Sequence, residues 1–178
     1  ITPKQVLGSI KGVNEKALTP VKRTTMIIPL RMLSDENEDF VRDYEVLDNT
    51  DLQQLHDIIC NDLGYDTAGF SSFFTANKNW NKLQEYTLMD MFDDSTDAIT
   101  LPMEGWLLRD IIASGSSRLI FVFEQISGRS LYLEIAGVKK EEAGMEYPRT
   151  AFSAGDPPSQ EGDEMLDIDD PFADMMEE

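Results

Sequence analysis

Two runs of alternating apolar and polar residues open the central part of the chain, at 26–33 and 40–47. An acidic, turn-like segment at 34–39 separates them. Because successive side chains of a strand point to opposite faces, this period predicts a half-buried β-hairpin. Pro29 lies within the first run and has no N–H to donate. The first strand therefore lies at a sheet edge or places Pro29 at an unpaired position.

The pattern predicts an amphipathic helix directly after the hairpin. Residues 49–51 (Asn-Thr-Asp) offer N-cap side chains, and Gly64 offers a residue that can end the helix in a left-handed conformation. Between them the apolar residues recur with the spacing of one helix face: Leu52, Leu55, Ile58, Ile59 and Leu63. A helix that follows a hairpin after so short a turn is expected to pack on one face of that hairpin.

The middle of the chain predicts shorter elements. An aromatic-rich extended stretch at 70–80 is broken by a turn at 77–79, and a short β-like segment follows at 85–91. The acidic run at 90–97 is typical of a loop. Residues 106–112 then predict a second helix, since apolar residues return and a Ser-Gly-Ser turn follows.

Residues 118–123 form a near-continuous apolar run of strand length, which is typical of a central strand buried on both faces. Residues 130–135 return the chain as a further strand. Together these elements predict an α+β fold. We expect a mixed, mainly antiparallel sheet of four to five strands with two helices on one face, in a β-grasp-like arrangement.

Charge divides the 178-residue chain into three zones. Residues 1–25 contain five basic residues and one acidic residue, whereas 153–178 contain ten acidic residues and no basic one. We therefore predict a weakly structured basic extension at 1–25, a single α+β domain at 26–152 and a disordered acidic tail at 153–178. The net charge of −19 disfavours direct contact with nucleic-acid phosphates, because such contact needs clustered Lys and Arg.

Composition also bears on the cellular setting. The single cysteine, Cys60, excludes an intramolecular disulfide and is typical of a reducing compartment. No apolar run is long enough to cross a bilayer, and residues 1–25 lack the charged-then-apolar layout of a signal peptide. We therefore expect a cytoplasmic protein without a membrane partner.

His56 and Cys60 are four residues apart and share one face of the first predicted helix. A transition metal could accept both side chains but needs at least a third ligand, and the chain has no other His or Cys. Cys60 also lies mid-helix, away from the helix N-terminus that would lower its pKa. The sequence therefore predicts a packed helix face, with no catalytic residue, metal or cofactor.

Two groups of residues are candidate contacts for a protein partner, and the first is aromatic: Phe73, Phe74 and Trp80. Lys78 and Lys82 are the bases nearby in sequence, which is too few for a basic groove that stacks nucleobases. Those rings that reach the surface are therefore expected to contact protein.

The second group lies in the acidic tail and consists of Leu166, Ile168, Asp169, Asp170 and Phe172. Acidic segments with scattered apolar residues stay soluble while offering anchors that fold onto a partner. The Asp-Asp-Pro-Phe run at 169–172 resembles the tip of single-stranded DNA-binding proteins, although six residues follow the Phe here. A tail that only keeps the protein soluble is the open alternative.

A set of short segments carries a family resemblance: Phe40–Arg42 with Asp51–Ile59, Gly64–Tyr65, Phe70–Phe74, Leu107–Ile112, Leu119–Phe123, Tyr147–Arg149 and Gly155–Pro158. Together they resemble the plasmid Ri open-reading-frame-three-like family, whose members are also known as insertion-sequence passenger proteins. The chain departs from that family at Glu124–Arg129, where an Asp-Phe-Gly-Asp element is usual. The resemblance implies a small α+β domain associated with mobile elements and no settled activity.

The leading functional hypothesis is a non-enzymatic protein-binding module of this passenger type, using the aromatic region, the tail or both. A hydrolase or nucleic-acid-processing factor with an unidentified carboxylate site is the first alternative, and it requires carboxylates whose pKa is shifted by burial. An acidic mimic of DNA is the second, and it requires binding that weakens steeply with salt. The identity of the partner and the oligomeric state are left open.

Overall fold

The structure is a computed structural model that describes residues 24–68, 70–88 and 99–161. Within these residues the elements follow one another in this order: β1 (Met26–Ser34), β2 (Val41–Leu47), α1 (Leu52–Leu63), β3 (Ser72–Ala76), β4 (Lys82–Thr87), β5 (Thr100–Pro102), α2 (Leu108–Ala113), β6 (Arg118–Glu124), β7 (Arg129–Ile135), β8 (Lys139–Lys140) and β9 (Arg149–Ala154).

The strands form one sheet in the order β5-β4-β3-β6-β7-β1-β2-β9, and β8 pairs with the beginning of β1. The β4–β5 pair is parallel, and the other pairs are antiparallel. The predicted mixed α+β fold with a mainly antiparallel sheet and two helices is confirmed. The predicted four to five strands are too few, because β5 and β8 are very short and β9 is largely exposed, so none of them has a clear hydrophobic period. The β-grasp-like arrangement is not confirmed.

Strand β1 is central, and its Pro29 occupies a gap between two ladders. Leu30–Ser34 pair with β7, whereas Met26–Ile27 pair with β8. The Pro29 carbonyl accepts a hydrogen bond from Ala136 N at 2.9 Å. The polar backbone groups of Pro29 therefore face the gap between β7 and β8. A missing N–H is tolerated there because neither β7 nor β8 pairs with Pro29. Pro29 is thus unpaired on the side of β7 and β8, while on its other side it lies opposite Glu45 of β2.

Helix α1 has the predicted bounds, and its ends explain them. The Asp51 carboxylate accepts from Gln54 N at 2.8 Å, and Gln54 Oε1 accepts from Asp51 N at 3.0 Å, which forms a capping box. Asp51 Oδ2 also accepts from Gly105 N at 3.1 Å, which links the start of α1 to the loop before α2. Gly64 ends the helix at φ 73°, a conformation that costs other residues energy.

Both helices pack on one face of the sheet, which we call the inner face. The core lies between the helices and the inner face of the sheet. It is formed by fully buried apolar side chains, among them Leu30, Met32, Leu52, Leu55, Ile59, Phe73, Leu108, Phe121 and Leu131. The Tyr44 hydroxyl lies among them and donates to Asp62 at 2.7 Å, and burial raises the pKa of Tyr44. The opposite face of the sheet is called the outer face, and it carries Arg31, Leu33 and Tyr132 on the strands next to the centre.

The folded domain extends beyond the predicted boundary at 152. β9 continues to Ala154, and residues 155–161 contact the body of the domain through Tyr65, Asp66 and Asn37. The expectation that a disordered tail begins at 153 therefore needs correction for 153–161. Residues 1–23 of the predicted extension and 162–178 of the predicted tail lie outside the described residues. In the part of the chain that is described, no helix is long and apolar enough to span a membrane.

We predict that Asp51→Ala lowers the free energy of unfolding by about 1–2 kcal/mol, because it removes both the N-cap bond and the bond from Gly105. Asp51→Asn is the matched control, since Asn is an equally good N-cap residue and is expected to retain most of this stability. Urea unfolding of the three proteins measures the difference. Equal losses for the two variants would contradict this role of the side chain.

Candidate functional site

A groove lies at one end of the sheet, where three distant segments meet. It is bounded by the β1–β2 loop, the β6–β7 turn and residues 156–161, and its volume is about 1150 Å³. The β1–β7 register brings two of these segments together, because Ser34 pairs with Leu131 and so places the β1–β2 loop beside the β6–β7 turn. We call this feature the acidic groove.

Arg129 joins the three segments of the acidic groove. Its guanidinium pairs with the Glu36 carboxylate, with Nη2 to Oε1 at 2.7 Å and Nε to Oε2 at 3.1 Å. Nη1 donates to the Gln160 carbonyl at 3.3 Å, and the guanidinium carbon lies 4.9 Å from the centroid of the Phe123 ring. The Glu36 carboxylate raises the pKa of Arg129, so the guanidinium stays charged.

The β6–β7 turn is held by Glu124 and presents an apolar side chain to solvent. The Glu124 carboxylate accepts from Ile126 N at 2.5 Å and from Ser127 N at 3.1 Å, and it also accepts from the Ser127 hydroxyl. These donors lower the pKa of Glu124, with the Ser127 hydroxyl as the largest cause. The same turn leaves the Ile126 side chain 96% exposed at the groove.

The third wall of the acidic groove is tied to the domain by backbone groups. The Tyr65 hydroxyl donates to the Pro158 carbonyl, and Asp66 N donates to Gln160 Oε1 at 2.7 Å. Gly155 precedes this wall at φ 69°, and an added Cβ would lie 2.4 Å from the Asp39 carbonyl oxygen. Only glycine fits this close approach of two backbones, so Gly155 is required where the chain leaves β9.

The lining of the acidic groove combines negative charge with exposed apolar surface. Its carboxylates are those of Asp35, Glu36, Glu124, Asp156 and Glu161. Among the described residues that line it, the one base is Arg129, which already pairs with Glu36. Besides Ile126, the Phe70 side chain is 63% exposed there. A surface of this kind attracts cations and offers apolar contacts beside them.

His56 and Cys60 lie together as predicted, but inside the core. His56 Nε2 is 3.5 Å from Cys60 Sγ, and His56 Nδ1 is 3.0 Å from Asp57 Oδ1. Burial raises the pKa of Cys60 to about 12, which disfavours the thiolate that a nucleophile or a metal ligand needs. Across residues 24–68, 70–88 and 99–161, no group of three or more His, Cys, Asp or Glu side chains could hold a metal ion.

The predicted aromatic contacts are divided between the two faces of the sheet. Phe73 is fully buried on the inner face, 5.0 Å from the Phe121 ring centroid, so its prediction as a partner contact is wrong. Phe74 and Trp80 lie on the outer face, where Trp80 packs edge-on against Tyr132 with centroids 5.4 Å apart. The alternation of strand side chains separates Phe73 from Phe74.

The predicted tail contacts, Leu166, Ile168, Asp169, Asp170 and Phe172, lie outside the described residues. The acidic groove itself was missed by sequence reasoning. In the sequence, Arg129 is noted only as the end of the Glu124–Arg129 departure from the family pattern, and Ile126 gives no signal. Residues 36, 129 and 160 are brought together by strand pairing, which no local pattern specifies.

The comparisons with known proteins bear on the fold. No protein-family model matches the sequence, and no curated protein matches it. The crystal structure of a protein of unknown function, MM3350 from Methanosarcina mazei Go1, is similar to this chain, with a TM-score of 0.63 and 15% sequence identity over 88% of each chain. At this identity the likeness shows a shared fold.

We predict that Arg129→Ala releases residues 155–161, because it removes the charged hydrogen bonds that join Glu36 and Gln160. The expected loss of stability is about 1.5–3 kcal/mol. Arg31→Ala is the matched control, since Arg31 also pairs bidentately with a carboxylate but its side chain is 57% exposed, against 18% for Arg129. Hydrogen exchange of residues 155–161 should accelerate in the first variant alone. Unchanged exchange in Arg129→Ala would contradict the joining role.

We predict that the Cys60 thiol is unreactive in the folded protein and reacts rapidly once the protein unfolds. Its folded pKa of about 12 exceeds the ordinary thiol value, so the unfolded chain loses this proton first as the pH rises. The contribution to stability is complete below the ordinary value and is lost as the pH rises toward about 12. Labelling with a chromogenic thiol reagent, with and without urea, measures the reactivity. Rapid labelling without urea would show that the thiol is accessible.

Proposed function

We propose that this chain is a non-enzymatic protein-binding module, similar to insertion-sequence passenger proteins, and that the acidic groove binds a basic, apolar segment of a partner protein. One observation carries the proposal. Two highly exposed apolar side chains, Phe70 and Ile126, lie within a surface whose charged groups are mainly carboxylates.

The apolar side chains supply the favourable energy of such a contact. Covering Phe70 and Ile126 removes apolar surface from water, and large exposed apolar residues are typical anchors of protein interfaces. The groove is large and open to solvent, which suits an extended peptide segment better than an enclosed small molecule.

The carboxylates supply selectivity for a basic segment. In the part of the chain that the structure describes, the side chains of Asp156 and Glu161 make no hydrogen bond or ion pair, so they are available to Lys or Arg of a partner. Glu36 and Glu124 are engaged by Arg129 and by the β6–β7 turn, and therefore shape the groove more than they bind. An acidic segment would be repelled.

The hydrolase alternative gains no support from the groove. A general acid there would need a carboxyl group whose pKa is raised by burial. The pKa of Glu124 is lowered instead, because the Ser127 hydroxyl and the turn amides stabilise its charged form. Glu124 is thus a structural carboxylate of the turn.

We predict that the double variant Phe70→Ser/Ile126→Ser weakens binding of a labelled synthetic peptide that alternates Lys and Leu by about tenfold or more. Fluorescence anisotropy measures the affinity. Leu83→Ser is the matched control, because Leu83 is 61% exposed on β4 and does not line the groove. A peptide that alternates Glu and Leu should not bind.

Equal affinity of the Lys-Leu peptide for the double variant and for Leu83→Ser would contradict the proposal, since attraction would then come from net charge alone. A chain that ends at Glu161 separates the groove from the tail. If the groove is the site, the effect of Phe70→Ser/Ile126→Ser persists in this shorter chain. If binding disappears with residues 162–178, the tail and not the groove is the binding element.

A further inference from the structure

The outer face of the sheet carries side chains in straight rows, because the strand registers align across six neighbouring strands. One row is charged in its middle: Arg118 on β6 pairs with Glu134 on β7, which pairs with Arg31 on β1, which pairs with Asp43 on β2. The signs therefore alternate along the row. Arg31 contacts Asp43 bidentately at 2.8 Å, and Arg118 lies 3.8 Å from Glu134.

A second row, one pleat away, is largely apolar. It runs from Ile120 on β6 through Tyr132 and Leu33 to Val41 on β2, and Ala154 continues it onto β9. Leu33 is exposed, and so is Phe152, which ends the charged row on β9. Both helices lie on the inner face, so no helix of the described residues covers these rows.

Trp80 bounds the open part of the outer face on the β3 side. It adopts a left-handed conformation, φ 62°, which is costly for a non-glycine residue. The Asn77 side chain holds this turn by accepting from Asn79 N and Asn81 N, both at 2.9 Å. The turn places the indole against Tyr132 and under the Arg118 guanidinium, 4.8 Å from its carbon. Among the described residues, Leu33 on β1 and Phe152 on β9 are exposed beyond this boundary.

We propose that this outer face docks on the outer face of a second copy of the chain, through a two-fold axis parallel to the strands that lies between β7 and β1. Charge complementarity between the two copies favours this arrangement. A rotation about this axis reverses the order of the row, so Arg118, Glu134, Arg31 and Asp43 of one copy face Asp43, Arg31, Glu134 and Arg118 of the other. Every cation then faces an anion.

A second face-to-face two-fold arrangement has its axis along the charged row, and it places each charge opposite its own copy. Like charges in direct opposition are unfavourable, so the sign pattern selects the first arrangement. That arrangement is also isologous and closed, which is the commonest form of a homodimer.

The apolar row fits the same arrangement. Reversal places the half-buried Tyr132 opposite the exposed Leu33 of the second copy. Two stacked sheets with aligned strands are an ordinary packing of β-sheets. The interface is independent of the acidic groove proposal.

The test uses the full chain in analytical ultracentrifugation across the micromolar range, together with charge exchange. Arg31→Glu and Glu134→Arg each place like charges across the interface, and each is expected to raise the dimer dissociation constant by about tenfold or more. The double variant Arg31→Glu/Glu134→Arg restores opposite signs at these positions and is expected to recover the dimer. Lys140→Glu is the control, because it changes the charge equally at an exposed position of β8 outside the two rows.

A full chain that is monomeric across this range would overturn the proposal, and so would single variants that dimerise like Lys140→Glu. A double variant as weak as either single variant would overturn the proposed axis. Thermal unfolding of each protein is recorded alongside. If Arg31→Glu does not fold, because it loses the Asp43 pair, the comparison of Glu134→Arg with Lys140→Glu still decides whether this face forms the dimer.

Discussion

The antiparallel register between β1 and β7 is the constraint on which both proposed surfaces depend. It pairs Leu33 with Tyr132 and Arg31 with Glu134, and so assigns these four side chains to the outer face. It also places Leu30, Met32, Leu131 and Leu133 on the inner face, where they are buried. A slip of one residue would move charges into the core and leucines into solvent, so burial of the inner face holds the register.

The same register builds the acidic groove at the end of the two strands. Because Ser34 lies beside Leu131, Glu36 in the next loop reaches Arg129 at the start of β7. The groove and the outer face adjoin at the Tyr132 hydroxyl, which lies 3.4 Å from Asp35 Oδ2. They differ in chemistry, since the groove is dominated by carboxylates, whereas the charged row of the outer face alternates in sign.

The sequence predicted those elements whose own residues show a hydrophobic period or capping residues. It did not predict elements that form only because they pair with a neighbouring strand. Helix α1 was predicted with its bounds, because its apolar spacing, Asp51 and Gly64 are all local signals. Strands β8 and β9 were missed, because they are recruited to the sheet by pairing with β1 and β2 and bury little of their own surface. Phe73 and Phe74 were grouped together as candidate contacts, although adjacent residues of a strand face opposite sides.

By itself, the sequence determined that this chain is an acidic α+β domain with a hairpin, a capped helix and a buried central strand, since periodicity and capping depend on residues close together in the chain. Tertiary structure alone decided the strand order, the place of Pro29, the joining of Glu36, Arg129 and Gln160, and the alternating charges of the outer face. These features depend on which strands pair and in which register. That choice is made by the burial of one sheet face as a whole, which no local segment specifies.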